Sequence, residues 1–249
     1  MIEVGYKTDK GITRSHNEDA CIVLPEDNVY VIADGVGGNK AGELASKTAV
    51  NGVVDFVHKN PISELKSKEE LSKYLTQCIK RINADILSLG ENYPENKGMA
   101  TTIIICYIQR GKAFFVNVGD SRVYLRRGKE LFQVTEDHTY VNSLVKLGVI
   151  SKDEVKGHQK EHVITRAMGA EKEVQADFYQ TNLEEGDIIL LCTDGLYGEI
   201  KEQDINELIA EEQNMKNLAI KLVDRANESG GRDNITTICI KYEEGGRNE

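Results

Sequence analysis

Proline, long apolar runs and a leader-like beginning are scarce or missing in this sequence. Only three of the 249 residues are proline, which excludes a collagen-like or proline-rich disordered chain. The longest apolar runs, residues 103–108 and 188–192, are much shorter than the roughly 20 residues that cross a bilayer. The first residues show no basic segment followed by an apolar stretch, so we expect a soluble protein with no signal peptide and no membrane insertion.

Cysteine is present, but not in patterns that indicate disulfides or zinc. The five cysteines are odd in number, widely spaced and without a C-x-x-C pair, so neither a disulfide framework nor a thiolate zinc site is expected. Four of them lie in apolar, strand-like runs, where a buried and inert thiol is the usual state. We therefore expect a reducing compartment and a cytoplasmic location.

Positive charge is also in deficit, because 31 Lys and Arg face 41 Asp and Glu and the net charge is −10. Nucleic acid is bound mostly through an excess of Lys and Arg, so we expect no nucleic-acid partner. An anionic substrate would require a local source of positive charge. Length and composition suit a soluble globular protein with a sizeable core.

Short β-branched runs alternate with longer helical patterns along the chain. Strands are predicted over 20–24, 29–33, 102–108, 113–118, 188–192 and 235–240, and helices over 42–58, 68–89, 202–212 and 215–228. Turns at 110–112 and 127–129 indicate antiparallel hairpins. The pattern predicts an α+β fold with antiparallel sheets covered by helices. We expect one domain over residues 1–242, with a small inserted flap at about 140–161 and a frayed tail at 243–249.

Acidic residues recur where the predicted strands begin or end. They are Glu18, Asp19, Asp34, Asp120, Asp194 and Asp233. Strand ends are rigid, and hard divalent cations prefer oxygen ligands, so such carboxylates could hold two ions. Each one alone is better explained as an ordinary polar turn. Their coincidence with an arginine and with glycine pairs favours a metal site.

Five short motifs occur along the chain in an order that resembles that of the metal-dependent serine/threonine phosphatases of the protein phosphatase 2C type. They are Arg14-Ser15-His16-Asn17-Glu18-Asp19, Ala33-Asp34-Gly35-Val36-Gly37-Gly38, Gly119-Asp120-Ser121-Arg122, Thr193-Asp194-Gly195 and Gly231-Arg232-Asp233-Asn234. The similarity runs from about residue 4 to 242 and is strongest to compact bacterial members. It implies two antiparallel sheets packed as a central sandwich, flanked by helix pairs.

The resemblance implies a role for each matching residue at a pair of Mn²⁺ or Mg²⁺ ions. Asp34 would bridge both ions. Glu18 and the Gly35 carbonyl would complete the protein ligands of one ion, and Asp194 and Asp233 those of the other.

Three further roles follow from the same resemblance. Asp19 would hydrogen-bond water at the ions without binding them directly. Asp120, together with Asp194, would hold a third and weaker ion. Arg14 would grip the substrate phosphate.

The implied activity is hydrolysis of phosphoserine and phosphothreonine in proteins by a hydroxide bridging the ions, reversing a serine/threonine kinase. The implied partners are phosphorylated proteins and a cognate kinase, and the protein is expected to be a monomer. Many animal members carry a histidine where this chain has Val36, and bacterial members often have one where it has Asn39. The general acid is therefore open. His138 is a candidate, whereas the other histidines are expected to be surface or structural.

Two other interpretations compete with this one. A catalytically inactive metal-binding regulatory module would be expected to have lost a ligand, and none of the four principal carboxylates is missing. A dinucleotide-binding turn at residues 29–38 would need glycine where Lys40 stands, and Asp34 would repel a pyrophosphate. Turnover of an aryl phosphate with Mn²⁺, lost on chelation, separates both from a phosphatase.

Overall fold

The computed structural model describes residues 1–37, 41–65 and 67–243. The strands are β1 (Ile2–Asp9), β2 (Asp19–Leu24), β3 (Val29–Val36), β4 (Ala100–Thr101), β5 (Ile103–Gln109), β6 (Lys112–Val118), β7 (Arg122–Arg127), β8 (Glu130–Gln133), β9 (Asp177–Asn182), β10 (Ile188–Cys192) and β11 (Ile235–Tyr242). The helices are α1 (Ala41–Lys59), α2 (Lys68–Asn92), α3 (Tyr140–Lys146), α4 (Asp194–Tyr197), α5 (Glu202–Glu211) and α6 (Met215–Glu228). No helix within the described ranges is both long and apolar enough to cross a membrane.

The strands form two antiparallel sheets. Sheet I has the order β1-β11-β10-β7-β8, and sheet II has the order β2-β3-β5-β6-β9, with β4 paired to the end of β3. The β5–β6 hairpin turns through Arg110 and Gly111, whose φ angles of 51° and 70° are both positive. Positive φ at both central residues is the geometry whose twist matches a two-residue hairpin, so the predicted turn is confirmed.

Three layers of apolar side chains hold the sheets and helices together. Between the sheets, Tyr30, Ile104 and Phe115 of sheet II pack among apolar residues of sheet I such as Ile189 and Ile238. A second cluster joins α1 and α2 to the outer face of sheet II, and a third joins α5 and α6 to sheet I. The predicted sandwich flanked by helix pairs is confirmed.

The long helices follow their predicted positions, because their apolar periodicity and caps are local signals. Helix α2 begins at a capping box in which the Ser67 hydroxyl accepts from the backbone N–H of Glu70, whose carboxylate accepts from Ser67 N–H. Strands β1 and β9 were not predicted. Both lie at sheet edges, and their irregular, partly exposed sequences become strands through pairing with β11 and β6.

Strand β3 is longer than predicted. The prediction that Asp34 follows the strand is wrong, since Gly35 and Val36 pair with Thr101 and Ala100 of β4 and carry the strand to Val36. Asp34 is therefore held within a hydrogen-bonded ladder.

The segment predicted as a flap contains α3 and a 3₁₀ turn at Lys152–Glu154. Its base is closed by two backbone hydrogen bonds, from Tyr140 N–H to the Val163 carbonyl at 2.8 Å and from Thr165 N–H to the His138 carbonyl at 2.7 Å. Of the predicted tail, only residue 243 lies within the described residues.

Candidate metal centre

The acidic residues singled out in the sequence meet at one end of the sandwich, which we call the catalytic end. The start of β2 and the end of β3 bring Asp19 and Asp34 together as a directly opposed cross-strand pair. The end of β10 and the start of β11 also lie side by side, with Cys192 opposite Thr237. Asp194 and Asp233 adjoin these two strand ends, so ligands predicted from distant parts of the sequence face one another across the two sheets.

Burial, together with neighbouring negative charges, raises the pKa values of four of these carboxyl groups, Asp19, Asp34, Asp120 and Asp194. Burial, reinforced by the neighbouring aspartates, raises the pKa of Asp34 well above its ordinary value. The same causes raise the pKa of Asp19 to about 7, against hydrogen bonds that lower it, and the pKa of Asp120 to about 8. The pKa of Asp194 is also raised, by burial and then by Asp233, although a hydrogen bond with Asp34 lowers it. Bound cations would relieve this energetic penalty, because they would offset the concentrated negative charge.

Two oxygens of the cluster test directly whether it suits a metal. Asp19 Oδ1 and Asp194 Oδ1 are buried and have no hydrogen-bond partner in the described structure. Buried carboxylate oxygens are rarely left without a partner in native proteins, and a bound cation is one way to satisfy them. The all-oxygen donor set suits Mg²⁺ or Mn²⁺. The residues present therefore fit a centre for hard divalent cations.

Glu18 is held by its backbone. Its N–H donates to Asn234 Oδ1 at 2.8 Å, and its carbonyl accepts from the Gly35 N–H at 3.1 Å and from the Ser46 hydroxyl at 2.5 Å. Burial raises the pKa of its side chain, while Arg14 lowers it. The loop before β2 is thus fixed to β11 and to α1.

Gly35 is required by close packing. A Cβ at this position would lie 2.1 Å from the Gly42 carbonyl oxygen and 2.6 Å from the Glu18 carbonyl oxygen, both backbone atoms. Only glycine lets the first turn of α1 approach β3 this closely.

Arg14 and Asp233 form an ion pair. The Arg14 Nη2 donates to Asp233 Oδ2 at 2.7 Å, and half of the arginine side chain is exposed. As the side chains stand, no three acidic, histidine or cysteine residues in the described ranges form a ligand set for one ion. Arg14 occupies one predicted ligand, Asp233, so an ion bound there would replace the contact between Arg14 and Asp233.

Asp120 lies beside a network of paired charges. Its carbonyl accepts from the Tyr197 hydroxyl at 2.8 Å, and the Arg122 guanidinium lies 3.6 Å from the centre of the Tyr197 ring. Arg122 also donates to both oxygens of Asp137, with Nη2–Oδ2 at 2.6 Å. The turn that carries Asp120 is therefore held by an aromatic ring, which in turn packs against a satisfied ion pair.

His138 is buried with both ring nitrogens engaged. Nδ1 accepts from the Gly119 N–H at 3.1 Å, which leaves Nε2 as the protonated nitrogen, 3.1 Å from Asp177 Oδ2. Arg166 donates to the other oxygen of Asp177 at 2.9 Å. Burial lowers the pKa of His138, which favours the neutral form of the ring. It joins the Asp120 turn to the base of the flap segment, and it has no free nitrogen to offer a substrate.

Three other positions bear on the identity of the general acid: Val36, Asn39 and His162. Val36 is 44% exposed and carries no proton donor, and Asn39 lies outside the described residues. His162, expected to be a surface residue, is exposed, but it lies near enough to Asp194 to lower the pKa of that carboxyl group.

Several supporting residues escaped the sequence analysis. Asn234, quoted only as part of a motif, holds Glu18 and also donates to the carbonyls of Lys10 and His16. Thr102 accepts from the Asp34 N–H at 2.9 Å. The position of Asn234 in a shared motif was a usable signal, whereas a threonine beside a β-branched run gave none.

The comparisons with known proteins agree with this geometry. The family model described as protein phosphatase 2C matches residues 11–238. A serine/threonine phosphatase, stp, of Listeria monocytogenes is 34% identical over 239 residues, covering 95% of this chain and 94% of the relative.

Solved structures give the same result. The serine/threonine phosphatase of S. agalactiae has a TM-score of 0.90 at 32% identity, covering 98% of this chain and all of the other. The catalytic domain of the serine/threonine phosphatase PstP, solved in complex with two manganese ions, has a TM-score of 0.85 at 29% identity, covering 98% and 99% of the two chains.

These matches confirm the resemblance inferred from the five motifs, together with the α+β fold. They leave no support for the dinucleotide-binding alternative. The chain belongs to the protein phosphatase 2C family of metal-dependent serine/threonine phosphatases.

Proposed function

We propose that this chain removes phosphate from phosphoserine and phosphothreonine in proteins, with two Mn²⁺ or Mg²⁺ ions held at the catalytic end. The observation that carries the proposal is the meeting of carboxylates from both sheets, with two buried oxygens that have no partner. Membership of the phosphatase family supports the reaction class.

The ligand set of the two ions is assigned residue by residue. Asp34 would bridge them, with Glu18 and the Gly35 carbonyl on one side and Asp194 and Asp233 on the other. When bound, such a pair of ions supplies a nucleophile at neutral pH and positive charge for the phosphoryl group. The ladder around β3 and the fixed backbone of Glu18 support this assignment, because they keep the ligands from moving apart.

Arg14 is assigned to the substrate phosphate. Its guanidinium is half exposed and already lies against a carboxylate of the site, so a small movement would bring it to a phosphoryl oxygen. A bidentate, charge-assisted contact of this kind orients the phosphate and offsets its charge. Asp19, buried beside the ligands, would orient water in the site without binding an ion directly.

Asp120 is assigned to a third, weaker ion, with Asp194 as its other ligand. Its buried carboxyl group and raised pKa, caused by burial and then by Asp194, support an arrangement that gains from added positive charge. We expect Asp120→Ala to keep two tight Mn²⁺ sites in titration calorimetry and to lose turnover. Loss of a tight site would instead make Asp120 a ligand of the principal pair.

The leading experiment measures phosphate release from phosphoserine, phosphothreonine and phosphotyrosine peptides, with Mn²⁺ and with a chelator. We expect release from the first two, loss of activity on chelation, and no activity in Asp194→Asn. Asp224→Asn, an exposed aspartate of α6, is the matched control and should behave as wild type. A protein that binds Mn²⁺ without hydrolysing any phosphopeptide would instead be the inactive regulatory module.

The surroundings of the reaction are also proposals. We place the enzyme in the cytoplasm because all five cysteines are free thiols, four of them buried. Its substrates must be made by a serine/threonine kinase, which is the expected functional partner. We expect it to act as a monomer, with residues 1–242 as one catalytic domain and 140–161 as an inserted flap. Sizing chromatography with light scattering tests the monomer.

A further inference from the structure

Hydroxyl groups of sheet I reach a carboxylate of sheet II at the catalytic end. Asp19, the first residue of β2, is buried, and its Oδ2 accepts from the Thr193 hydroxyl at 2.9 Å and from the Thr236 hydroxyl at 2.7 Å. Thr193 directly follows β10 and Thr236 lies in β11, so both donors come from the other sheet. All three side chains are almost completely shielded from solvent.

The chemistry of these groups fixes the direction of each hydrogen bond. The ionised form of Asp19, which bound cations would favour, only accepts, so in that form Thr193 and Thr236 each give Asp19 Oδ2 their single hydroxyl proton. Thr236 Oγ1 must then accept from the Thr8 hydroxyl at 2.8 Å, and Thr8 Oγ1 accepts from the Asn17 side-chain amide at 2.8 Å. Asn17 Oδ1 accepts from the Asp19 N–H at 3.2 Å, which closes a ring. The Thr8 and Thr236 hydroxyls therefore each donate one hydrogen bond and accept another. The Thr193 hydroxyl, outside the ring, also does both, because its Oγ1 accepts from the Thr236 N–H at 3.0 Å.

The ring is placed where it can affect the spacing of the ligands. Thr193 directly precedes Asp194, and Thr236 lies three residues after Asp233, so the two donors adjoin the ligands assigned to sheet I. The acceptor, Asp19, adjoins those assigned to sheet II. These two hydrogen bonds therefore link the two groups of ligands directly, in addition to the hydrogen bond from Glu18 N–H to Asn234.

We infer that Thr193 and Thr236, supported by Thr8, are positioning residues. They hold the Asp19 carboxylate between the sheets and so help to set the separation of the two halves of the metal centre, while Asp19 Oδ1 is buried without a hydrogen-bond partner among the described residues. This inference rests on the proposed metal-dependent function.

The test compares Mn²⁺ binding by titration calorimetry in variants that differ by one hydroxyl. Thr236→Val removes the hydroxyl at nearly constant volume and should weaken binding about 10–100-fold, the range found when a group supporting a metal site is lost. Thr236→Ser keeps the hydroxyl and should bind like wild type. Thr237→Val is the matched control, because Thr237 is the next residue of the same strand, equally buried, and its hydroxyl contacts the Ala219 carbonyl instead.

The outcomes separate this inference from the proposed function. Equal Mn²⁺ affinity in Thr236→Val and Thr237→Val would overturn the positioning role. If Thr236→Val does not fold, Thr193→Val decides by the same criterion, since it removes the other hydrogen bond to the same oxygen. A wild-type protein that binds Mn²⁺ but hydrolyses no phosphopeptide contradicts the proposed function alone, and the binding data still decide the inference. A wild-type protein that binds no Mn²⁺ overturns both.

Discussion

The carboxylates of the metal centre and the Arg122–Asp137 pair are neighbours, yet their charges have different surroundings. In the metal centre, burial and mutual repulsion raise the pKa of Asp34 well above its ordinary value, and an oxygen of Asp194 is left without a partner. Beside it, Asp137 receives three close contacts from Arg122 and a further hydrogen bond from Gln133.

The difference shows what each region contributes. Completely paired charges resist the loss of either partner, because removing one would leave a buried charge uncompensated. Unpaired carboxylates destabilise the metal-free fold, and they are kept where bound cations complete them. Polar groups that the folded chain alone leaves unsatisfied therefore indicate the functional region.

The sharpest contrast comes from the same substitution in both regions. Asp34→Asn should lower phosphatase activity at least about 10³-fold, because the proposed bridging ligand would be lost, but should raise the Tm of the metal-free protein by relieving repulsion. Asp137→Asn should lower the Tm, at a cost of about 3 kcal/mol, since it leaves Arg122 without its counter-ion. Phosphate release and thermal unfolding in chelator measure the two effects.

The comparison requires that the Tm rises in Asp34→Asn and falls in Asp137→Asn. If both variants unfold at lower temperature than wild type, the carboxylates of the metal centre are as well satisfied as Asp137, and the two regions do not differ in this respect. Near-normal turnover by Asp34→Asn with excess Mn²⁺ would remove Asp34 from the bridging position.

Arg14 should show an intermediate effect, because it is charged and pairs with Asp233, one of the proposed ligands. Loss of a charge-assisted hydrogen bond costs about 1.5–3 kcal/mol, so Arg14→Ala should lower kcat/KM roughly 10–150-fold. Inhibition by inorganic phosphate should weaken in parallel. The matched control is Arg232→Ala, an exposed arginine paired with Glu199. Unchanged phosphate inhibition in Arg14→Ala would leave Arg14 as only the partner of Asp233.

The histidines should show the smallest effects. Because both nitrogens of His138 are engaged, His138→Ala should slow phosphopeptide and aryl phosphate hydrolysis by the same modest factor, through the Asp120 turn. An aryl phosphate has a good leaving group, so a missing general acid would slow the phosphopeptide selectively, by about 10²-fold or more. The ratio of the two rates is the measurement. A selective loss in His162→Ala, the exposed histidine near Asp194, would identify a side-chain acid.

The meeting of the acidic residues could be predicted from the sequence, because they lie in short local motifs near strand ends, while their roles as ligands stay predictions. Asp34 and Asp194, each followed by glycine, are examples. The hydroxyl ring around Asp19 could not be predicted, since Thr8 and Thr236 look like ordinary β-branched strand residues and meet only when β1 pairs with β11. The engaged nitrogens of His138 likewise depend on tertiary contacts.

The helical parts of the fold were predictable from periodicity and capping, whereas the edge strands β1 and β9 were not. Strand β1 carries Gly5 and charged residues, and it becomes a strand through its complete register with β11. The end of β3 was missed for a similar reason, because its pairing partner is the two-residue β4, about 65 positions away in the chain.

The pH dependence of thermal unfolding, with and without Mg²⁺, tests most directly whether bound cations complete these buried carboxylates. Raised native pKa values, about 7 for Asp19 and about 8 for Asp120, mean that the native state binds more protons than the unfolded chain above about pH 4. The stability that these groups contribute is therefore lost as the pH rises through those values. His138, whose pKa is lowered, acts in the opposite sense, but only below about pH 7.

The measurement is the Tm at about pH 7 and about pH 8.5, in chelator and in saturating Mg²⁺. We predict that the metal-free protein melts at a lower temperature at the higher pH, and that Mg²⁺ raises the Tm most at that pH, because the ions replace the protons. A metal-free Tm that does not fall with pH, or an equal gain from Mg²⁺ at both pH values, would contradict the claim that these carboxylates are completed by cations.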